Sequence, residues 1–213
     1  MNFVYSVQIL TAFDRTITAD RLAPYLDAAG GDKEAAVKMY VANAKLSEAL
    51  YTPLQGVEVA LRNAMNAEIV QRVGADWLEQ RKVQLFDAQR EKVDEAVAKL
   101  TQDGKPVANP GLVAELSFGF WVGILGPRYE NSLWRLTLRK AFPHRPRGFE
   151  RKEILGALNS IRRLRNRVMH HERILHRDLV ADHALILKVI GWICPHTQAW
   201  VEAHSKFDPA MIP

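Results

Sequence analysis

The chain has 213 residues, 48% of them hydrophobic and 25% charged, with a formal net charge of +5 and a pI of about 9.4. This composition is close to the average of globular domains, so we expect a folded chain with a sizeable core. No apolar run approaches the roughly 18 residues that would cross a bilayer, which excludes a membrane span, and no secretory signal is evident. The only cysteine, Cys194, excludes an intrachain disulfide and favours a cytoplasmic location.

Helical periodicity dominates the chain after a short N-terminal stretch. Only residues 3–7 hint at an extended backbone, so we assign residues 1–17 to an N-terminal arm and residues 18–213 to a single all-α domain. Thr18 can cap a first helix that a glycine pair stops, and Asp32 can cap a longer one. The sequence therefore predicts an all-α fold, with a helical bundle and additional helices.

The middle of the chain predicts three more helices. Pro53 suits the first turn of a helix that buries one apolar stripe. That stripe consists of Leu54, Val57, Leu61, Met65 and Ile69. A charged amphipathic helix follows over residues 87–100. Residues 112–125 are nearly all apolar, with Glu115 their only charge, and predict the central buried helix.

The last third of the chain combines basic segments with two long helical patterns. Residues 130–140 predict a basic amphipathic helix, and residues 142–148 are too rich in proline to be helical. The next helix is predicted over residues 150–170. Asp178 can cap the last long helix, and a final short helix can hold Trp200.

One short segment inside the helix over residues 150–170 combines groups suited to phosphate chemistry. Residues 165–172 read Arg-Asn-Arg-Val-Met-His-His-Glu. The Arg165 guanidinium is always charged and has a planar fork of donors that suits phosphate. The His170 imidazole can exchange protons near neutral pH. Together they supply what metal-free cleavage of an RNA phosphodiester needs, which is one group to move protons and another to stabilise charge.

The spacing of these residues sets a geometric constraint. Asn166 and His170 are four residues apart and share one helix face, whereas Arg165 and His170 are separated by about 140° around a straight helix. They can converge only if Arg165 reaches across, the helix loosens near His170, or two copies of the chain meet.

The motif and two earlier stretches resemble one family. The motif consists of an Arg-Asn pair followed a few positions later by a His, and it closes a helix of an all-helical chain. This pattern resembles the ribonuclease signature of the HEPN superfamily. The stretch from Leu54 to Met65, which contains Arg62-Asn63, and the stretch from Leu116 to Trp121 are similar to its Abi-like branch, named for abortive phage infection. The resemblance covers roughly residues 20–195.

The resemblance implies a fold, an activity and roles for the motif residues. It implies a HEPN-like helical bundle in which Arg165 and His170 are the catalytic pair and Asn166 is the polar residue that orients the site. The family typically works as a homodimer with two motifs facing one another. The implied activity is that of an endoribonuclease in phage defence or a toxin, and the implied partners include an RNA or protein antitoxin.

Four further residues are candidates for a supporting role. Arg62 could bring a second guanidinium to the phosphate; alternatively it pairs with Glu58 four residues earlier, while Asn63 bonds to the helix that contains the motif. His171 and Glu172 follow the motif directly, and Glu172 could orient either imidazole; alternatively both belong to an exposed turn.

Arginines are concentrated around the motif. Residues 135–177 hold thirteen Lys and Arg and only three Glu, which favours RNA over a merely solvated helix face. The candidate RNA-binding residues are Arg135, Arg139, Arg145, Arg147, Arg162 and Arg167. No set of residues has the spacing of a metal site or a nucleotide-binding loop, so we expect no metal and no cofactor.

Three functions remain open at this point. The first is a metal-independent endoribonuclease whose products carry a 2′,3′-cyclic phosphate. The second is a non-catalytic module that binds RNA or a partner, for which the basic cluster would suffice. The third is a structural interaction domain in which the motif only closes a helix.

Overall fold

A computed structural model describes residues 3–213, and over this range the chain is all-α and contains no strand. The helices are α1 (Val7–Phe13), α2 (Ala19–Ala28), α3 (Lys33–Ala49), α4 (Tyr51–Val73), α5 (Asp87–Gln102), α6 (Asn109–Glu115), α7 (Phe118–Gly123), α8 (Arg151–Met169), α9 (Leu179–Ile193) and α10 (Pro195–His204). Short 3-10 and π-helical turns fill much of the space between α7 and α8. None of the helices found in residues 3–213 is long and apolar enough to cross a membrane.

The core forms around α4 and α9. α9 packs against α4, α8 and α10, so it lies between the two helices that contain the Arg-Asn pairs. The apolar stripe predicted for α4, from Leu54 to Ile69, is fully buried. Three tryptophans, Trp77, Trp121 and Trp134, are fully buried in the same core, and Trp192 is nearly so. Burial of this apolar surface is the main stabilising contribution to such a fold.

The N-terminal segment is not helical over residues 3–6, within the stretch expected to be extended, and becomes helical at Val7. α1 begins at Val7, because the Ser6 side chain accepts a hydrogen bond from the Ile9 amide and caps the helix. A π-helical turn then leads to Thr18, which caps α2 as predicted. Met1 and Asn2, the first residues of the predicted arm, lie outside the described residues. Asp32 caps α3 as predicted.

The predicted central helix over residues 112–125 is broken in two. α6 ends at Glu115, Leu116 and Ser117 are extended, and α7 begins at Phe118. Serine competes for backbone hydrogen bonds and favours helix starts, and glycine weakens a helix, which accounts for the break in a segment of otherwise uniform apolarity. The prediction that this segment is buried is confirmed for most of its apolar side chains.

The predicted amphipathic helix over residues 130–140 is also wrong. This segment forms a π-helical turn over Glu130–Trp134 and a 3-10 turn over Leu138–Ala141. The buried Thr137 separates them and accepts a hydrogen bond from Arg72 of α4 at 2.9 Å. Burial of consecutive side chains such as Leu133 and Trp134 does not fit the spacing of one helix face, so the backbone is irregular here.

α8 matches its prediction at both ends. Glu150 and Glu153 form a reciprocal capping box at its start, and His170 is its C-terminal cap. Its buried side chains follow helical spacing from Ile154 to Val168. With 19 residues, α8 is about 28 Å long, so it separates the basic loop before it from the motif at its end by that distance.

Candidate functional site

The motif lies at the C-terminus of α8, where the chain makes a tight left-handed turn. The Glu172 amide donates to the Arg167 carbonyl at 2.8 Å, and the His171 amide donates to the Val168 carbonyl at 3.1 Å. This is the Schellman pattern, which usually places glycine at the left-handed position. Here that position is His171, with φ of +55°, so a side chain occupies a conformation that few residues other than glycine adopt. Such a turn persists only where neighbouring groups hold it.

Asn43 of α3 holds the chain just after this turn. It is only 4% exposed, and its side chain makes two hydrogen bonds to the backbone of the turn. Its amide nitrogen donates to the Glu172 carbonyl at 3.2 Å, and its oxygen accepts from the Ile174 amide at 2.7 Å. One buried amide therefore satisfies two backbone groups that would otherwise lack partners, and it fixes the path of residues 172–174.

Arg21 of α2 holds the turn from a second direction. Its guanidinium donates to the carbonyl of His171 at 3.0 Å and to that of His170 at 3.4 Å. Behind it lies Tyr25, one turn further along α2, with the Arg173 guanidinium over its ring. Burial, followed by the nearby Tyr40, raises the pKa of Tyr25 to about 12, so this phenol stays neutral. The turn at the C-terminus of α8 is thus attached to both α2 and α3.

Arg165 is anchored by a carboxylate from α4. Its Nε lies 3.2 Å from an Oε of Glu58, and the two side chains are 28% and 21% exposed. Within the described part of the chain, neither Nη of Arg165 has a hydrogen-bond partner. The contact therefore fixes the guanidinium through one edge and leaves its fork available to an anion.

Arg165 and His170 have different surroundings at the end of α8. His170 is exposed at the C-terminal cap, with φ of −94° and ψ of 10°. Asn166 is also exposed, and it shares the face of His170. Arg165 instead points toward α4 and Glu58.

The first Arg-Asn pair lies apart from the second. Arg62 is half-buried and its Nε is buried without a hydrogen-bond partner among residues 3–213. It does not pair with Glu58, because that carboxylate is engaged with Arg165. Asn63 is exposed in a groove beside α10 and makes no hydrogen bond to α8 in the described structure. Of the two alternatives for this pair, the structural one, with Arg62 bound to Glu58 and Asn63 bound to α8, is therefore not found in residues 3–213.

Glu172 pairs with an arginine rather than orienting an imidazole. Its carboxylate lies 3.3 Å from Nη1 of Arg167, the same nitrogen that donates to the Arg173 carbonyl. Arg167 therefore stabilises the turn, although it is still half-exposed. Desolvation, followed by the positive charges of neighbouring arginines, lowers the pKa of the nearby His176. The surroundings of the turn are thus positively charged.

The predicted RNA-binding arginines fall into two groups. Arg145 donates to the backbone carbonyls of three residues and holds the loop before α8, and Arg135 pairs with Glu130 at 3.2 Å. Arg139 and Arg147 are exposed with no ion pair among residues 3–213, and Arg162 is half-buried on α8. The basic loop lies about 28 Å from His170, so it does not flank the motif directly.

Two of the residues that organise this site were not predicted. Asn43 carried a signal, because it lies on the stripe of Ala36, Leu46 and Leu50 along α3, where a polar side chain must find buried partners. The sequence around Arg21 gave no signal of its role, because its partners are backbone carbonyls about 150 residues away.

Among residues 3–213, no group of three or more His, Cys, Asp or Glu side chains is arranged to hold a metal ion. No protein-family model matches the chain, and neither does any curated protein or solved structure.

Proposed function

We propose that this protein is a metal-independent endoribonuclease of the HEPN type that acts as a homodimer. The observation that carries the proposal is the anchoring of Arg165 through its Nε by Glu58, with both Nη groups left open beside a helix end that presents His170 to solvent. A guanidinium fixed by a carboxylate is oriented in advance for phosphate, which is how charge stabilisation is gained without reorganisation.

The proposed reaction needs one proton to be removed and another to be delivered. His170 takes the proton of the ribose 2′-OH, and the 2′ oxygen attacks the phosphorus. The bond from phosphorus to the 5′ oxygen breaks, and that oxygen receives a proton from a water molecule. Arg165 stabilises the negative charge on the phosphate oxygens, and Asn166 positions the phosphate. The products carry a 2′,3′-cyclic phosphate and a 5′-OH.

The first test compares wild-type protein with His170→Ala on single-stranded RNA, with and without EDTA. We expect wild-type cleavage to survive the chelator and the variant to lose at least 100-fold in rate, the usual contribution of a general acid or base. His176→Ala, which alters a histidine outside the motif, is the matched control and should retain activity. A folded His170→Ala protein that still cleaves RNA would rule out the proposed reaction.

The second test asks whether the site is shared between two chains. A two-fold pair places equivalent groups of both copies at the axis, which would bring Arg165 of one chain toward His170 of the other. Mixing Arg165→Ala with His170→Ala protein should then restore part of the activity, because a mixed dimer keeps one intact site. An active monomer, or mixtures that stay inactive despite exchange of subunits, would contradict the shared site.

A second candidate function is RNA or partner binding without cleavage. It is favoured by the exposed Arg139 and Arg147, which lie at the opposite end of α8 from His170 and need no catalysis to bind RNA. RNA affinity that His170→Ala leaves unchanged, with no cleavage by wild-type protein, would favour this candidate. A role in phage defence or as a toxin, with an antitoxin partner, belongs to the first candidate and predicts growth arrest that depends on His170.

A further inference from the structure

A groove opens next to the motif, between α3, the start of α4 and the end of α8. It has a volume of about 320 Å³, which is enough for one planar base. On one side it is lined by Tyr40, Ser47, Glu48 and Tyr51, and on the other by Val168, Met169 and His171, with Ala44 and the buried Asn43 between them. The two sides approach each other because Asn43 attaches α3 to the turn after α8.

The groove offers an aromatic surface that the fold does not use. Tyr51 is 52% exposed, although large aromatic side chains are usually buried. Tyr40 is supported from behind by an edge-to-face contact with Tyr25 at 5.5 Å, so its ring is held in place. Aromatic rings that line a groove beside a phosphate-directed site are suited to stacking an unstacked base of single-stranded RNA.

Two side chains of the groove, Glu48 and Ser47, offer free acceptors. The Glu48 carboxylate has no ion pair or hydrogen bond within residues 3–213. Ser47 donates its hydroxyl proton to the Asn43 carbonyl at 2.8 Å, which leaves its oxygen lone pairs free. A base that presents adjacent N–H donors would match this surface. Guanine has two, N1–H and the N2 amino group, whereas uracil has one donor between two acceptors.

The position of the groove connects it to the reacting phosphate. Met169 and His171 line it, and His170 lies between them, so the groove is one residue, about 3.8 Å along the backbone, from the proposed general base. Arg21 places a positive charge at the same turn, through its hydrogen bond to the His171 carbonyl. A base in the groove would therefore set which phosphodiester reaches His170.

We propose that this groove binds a guanine base of single-stranded RNA, with Tyr40 and Tyr51 stacking on the ring and Glu48 accepting its two N–H donors. This deepens the proposed function, because it names the base that precedes or follows the cleaved bond. It makes the protein a guanine-selective nuclease rather than one that reads the RNA backbone alone.

Binding can be tested separately from cleavage in full-length His170→Ala protein. Calorimetric titration with guanosine, adenosine and uridine 5′-monophosphates should show that the guanine nucleotide binds at least tenfold more tightly than the other two. Glu48→Gln should lower the affinity for the guanine nucleotide about tenfold and leave the affinity for the uridine nucleotide unchanged. Glu91→Gln, an exposed and unpaired glutamate of α5, is the matched control and should change nothing.

The stacking contact has its own pair of variants. Tyr51→Ala should lower the affinity for all three nucleotides by a similar factor of about five or more, because stacking is tolerant of base identity. Tyr51→Phe keeps the ring and should restore this affinity. In wild-type protein with intact His170, mapped cleavage sites should lie next to guanines, and Glu48→Gln should spread them over other bases.

The outcomes separate this inference from the proposed function. Guanine-selective binding that depends on Glu48, with no cleavage by wild-type protein, supports the groove and overturns the nuclease. Cleavage without base preference, together with equal affinity for the three nucleotides, overturns the groove and supports the nuclease. An absence of nucleotide binding at millimolar concentration also overturns the groove.

Discussion

The two Arg-Asn pairs of this protein have the same sequence and opposite surroundings. Arg165 of α8 is held through its Nε by Glu58 and keeps its Nη groups open, whereas Arg62 of α4 has a buried Nε without a partner in the described structure. Asn166 shares a face with His170, whereas Asn63 lies in a groove beside α10. A dipeptide therefore does not define a site, because the neighbouring helices decide what each side chain can do.

Glu58 shows how this difference arises. It is one helical turn from Arg62, the spacing at which an ion pair on one helix is expected, yet it pairs with Arg165, which is 107 positions away. An exposed pair on one helix contributes only about 0.5 kcal/mol, so tertiary packing overrides it easily. The carboxylate joins α4 to the motif, and the two helices are held in this arrangement by α9.

The largest expected effect separates the two arginines directly. Arg165→Ala should lower the rate of RNA cleavage by about 100- to 1000-fold, the range for loss of one pre-oriented group that stabilises transition-state charge. Arg62→Ala should lower it by less than about fivefold, because its guanidinium does not share the Glu58 anchor. Single-turnover cleavage of a labelled RNA measures both. Equal losses in the two variants would mean that Arg62 also contacts the phosphate.

The next effect tests the amide that holds the turn after α8. Asn43→Ala leaves the Ile174 amide and the Glu172 carbonyl without partners, so the free energy of unfolding in urea should fall by about 2–3 kcal/mol. Asn43→Asp keeps the acceptor for the Ile174 amide, so its free energy of unfolding should fall by less than that of Asn43→Ala. Asn63→Ala, at the exposed asparagine of α4, is the control and should stay within about 0.5 kcal/mol of wild type. An Asn43→Ala protein as stable as the control would show that the turn after α8 is stable without the Asn43 hydrogen bonds.

The smallest effect concerns the basic loop at the far end of α8. Arg139→Ala combined with Arg147→Ala should lower the slope of log affinity for RNA against log salt by about one to two units, as expected for two lost phosphate contacts. Arg145 is unsuitable for this test, because it holds the loop through backbone carbonyls. Lys188→Ala with Lys206→Ala removes the same charge elsewhere and should leave the slope nearly unchanged. A changed cleavage preference with an unchanged slope would mean that Arg139 and Arg147 read bases.

Local patterns predicted the helices whose signals lie close together in the chain. Thr18, Asp32 and Asp178 sit at the starts of α2, α3 and α9, because a cap needs only residues within one turn. The α4 stripe was predicted for a similar reason, since its spacing of three and four residues defines one face. Residues 112–125 and 130–140 were mispredicted, because uniform apolarity and mixed burial carry no period that locates a break.

For the candidate site, the sequence by itself determined that a guanidinium, an amide and an imidazole end α8, since helical periodicity and capping fix those positions locally. Only the tertiary structure decided that Glu58 anchors Arg165, that Asn43 and Arg21 hold the turn at His171, and that the basic loop lies about 28 Å away. These contacts join residues more than 100 positions apart. Their geometry depends on how helices pack, and packing is set by the whole core rather than by any one segment.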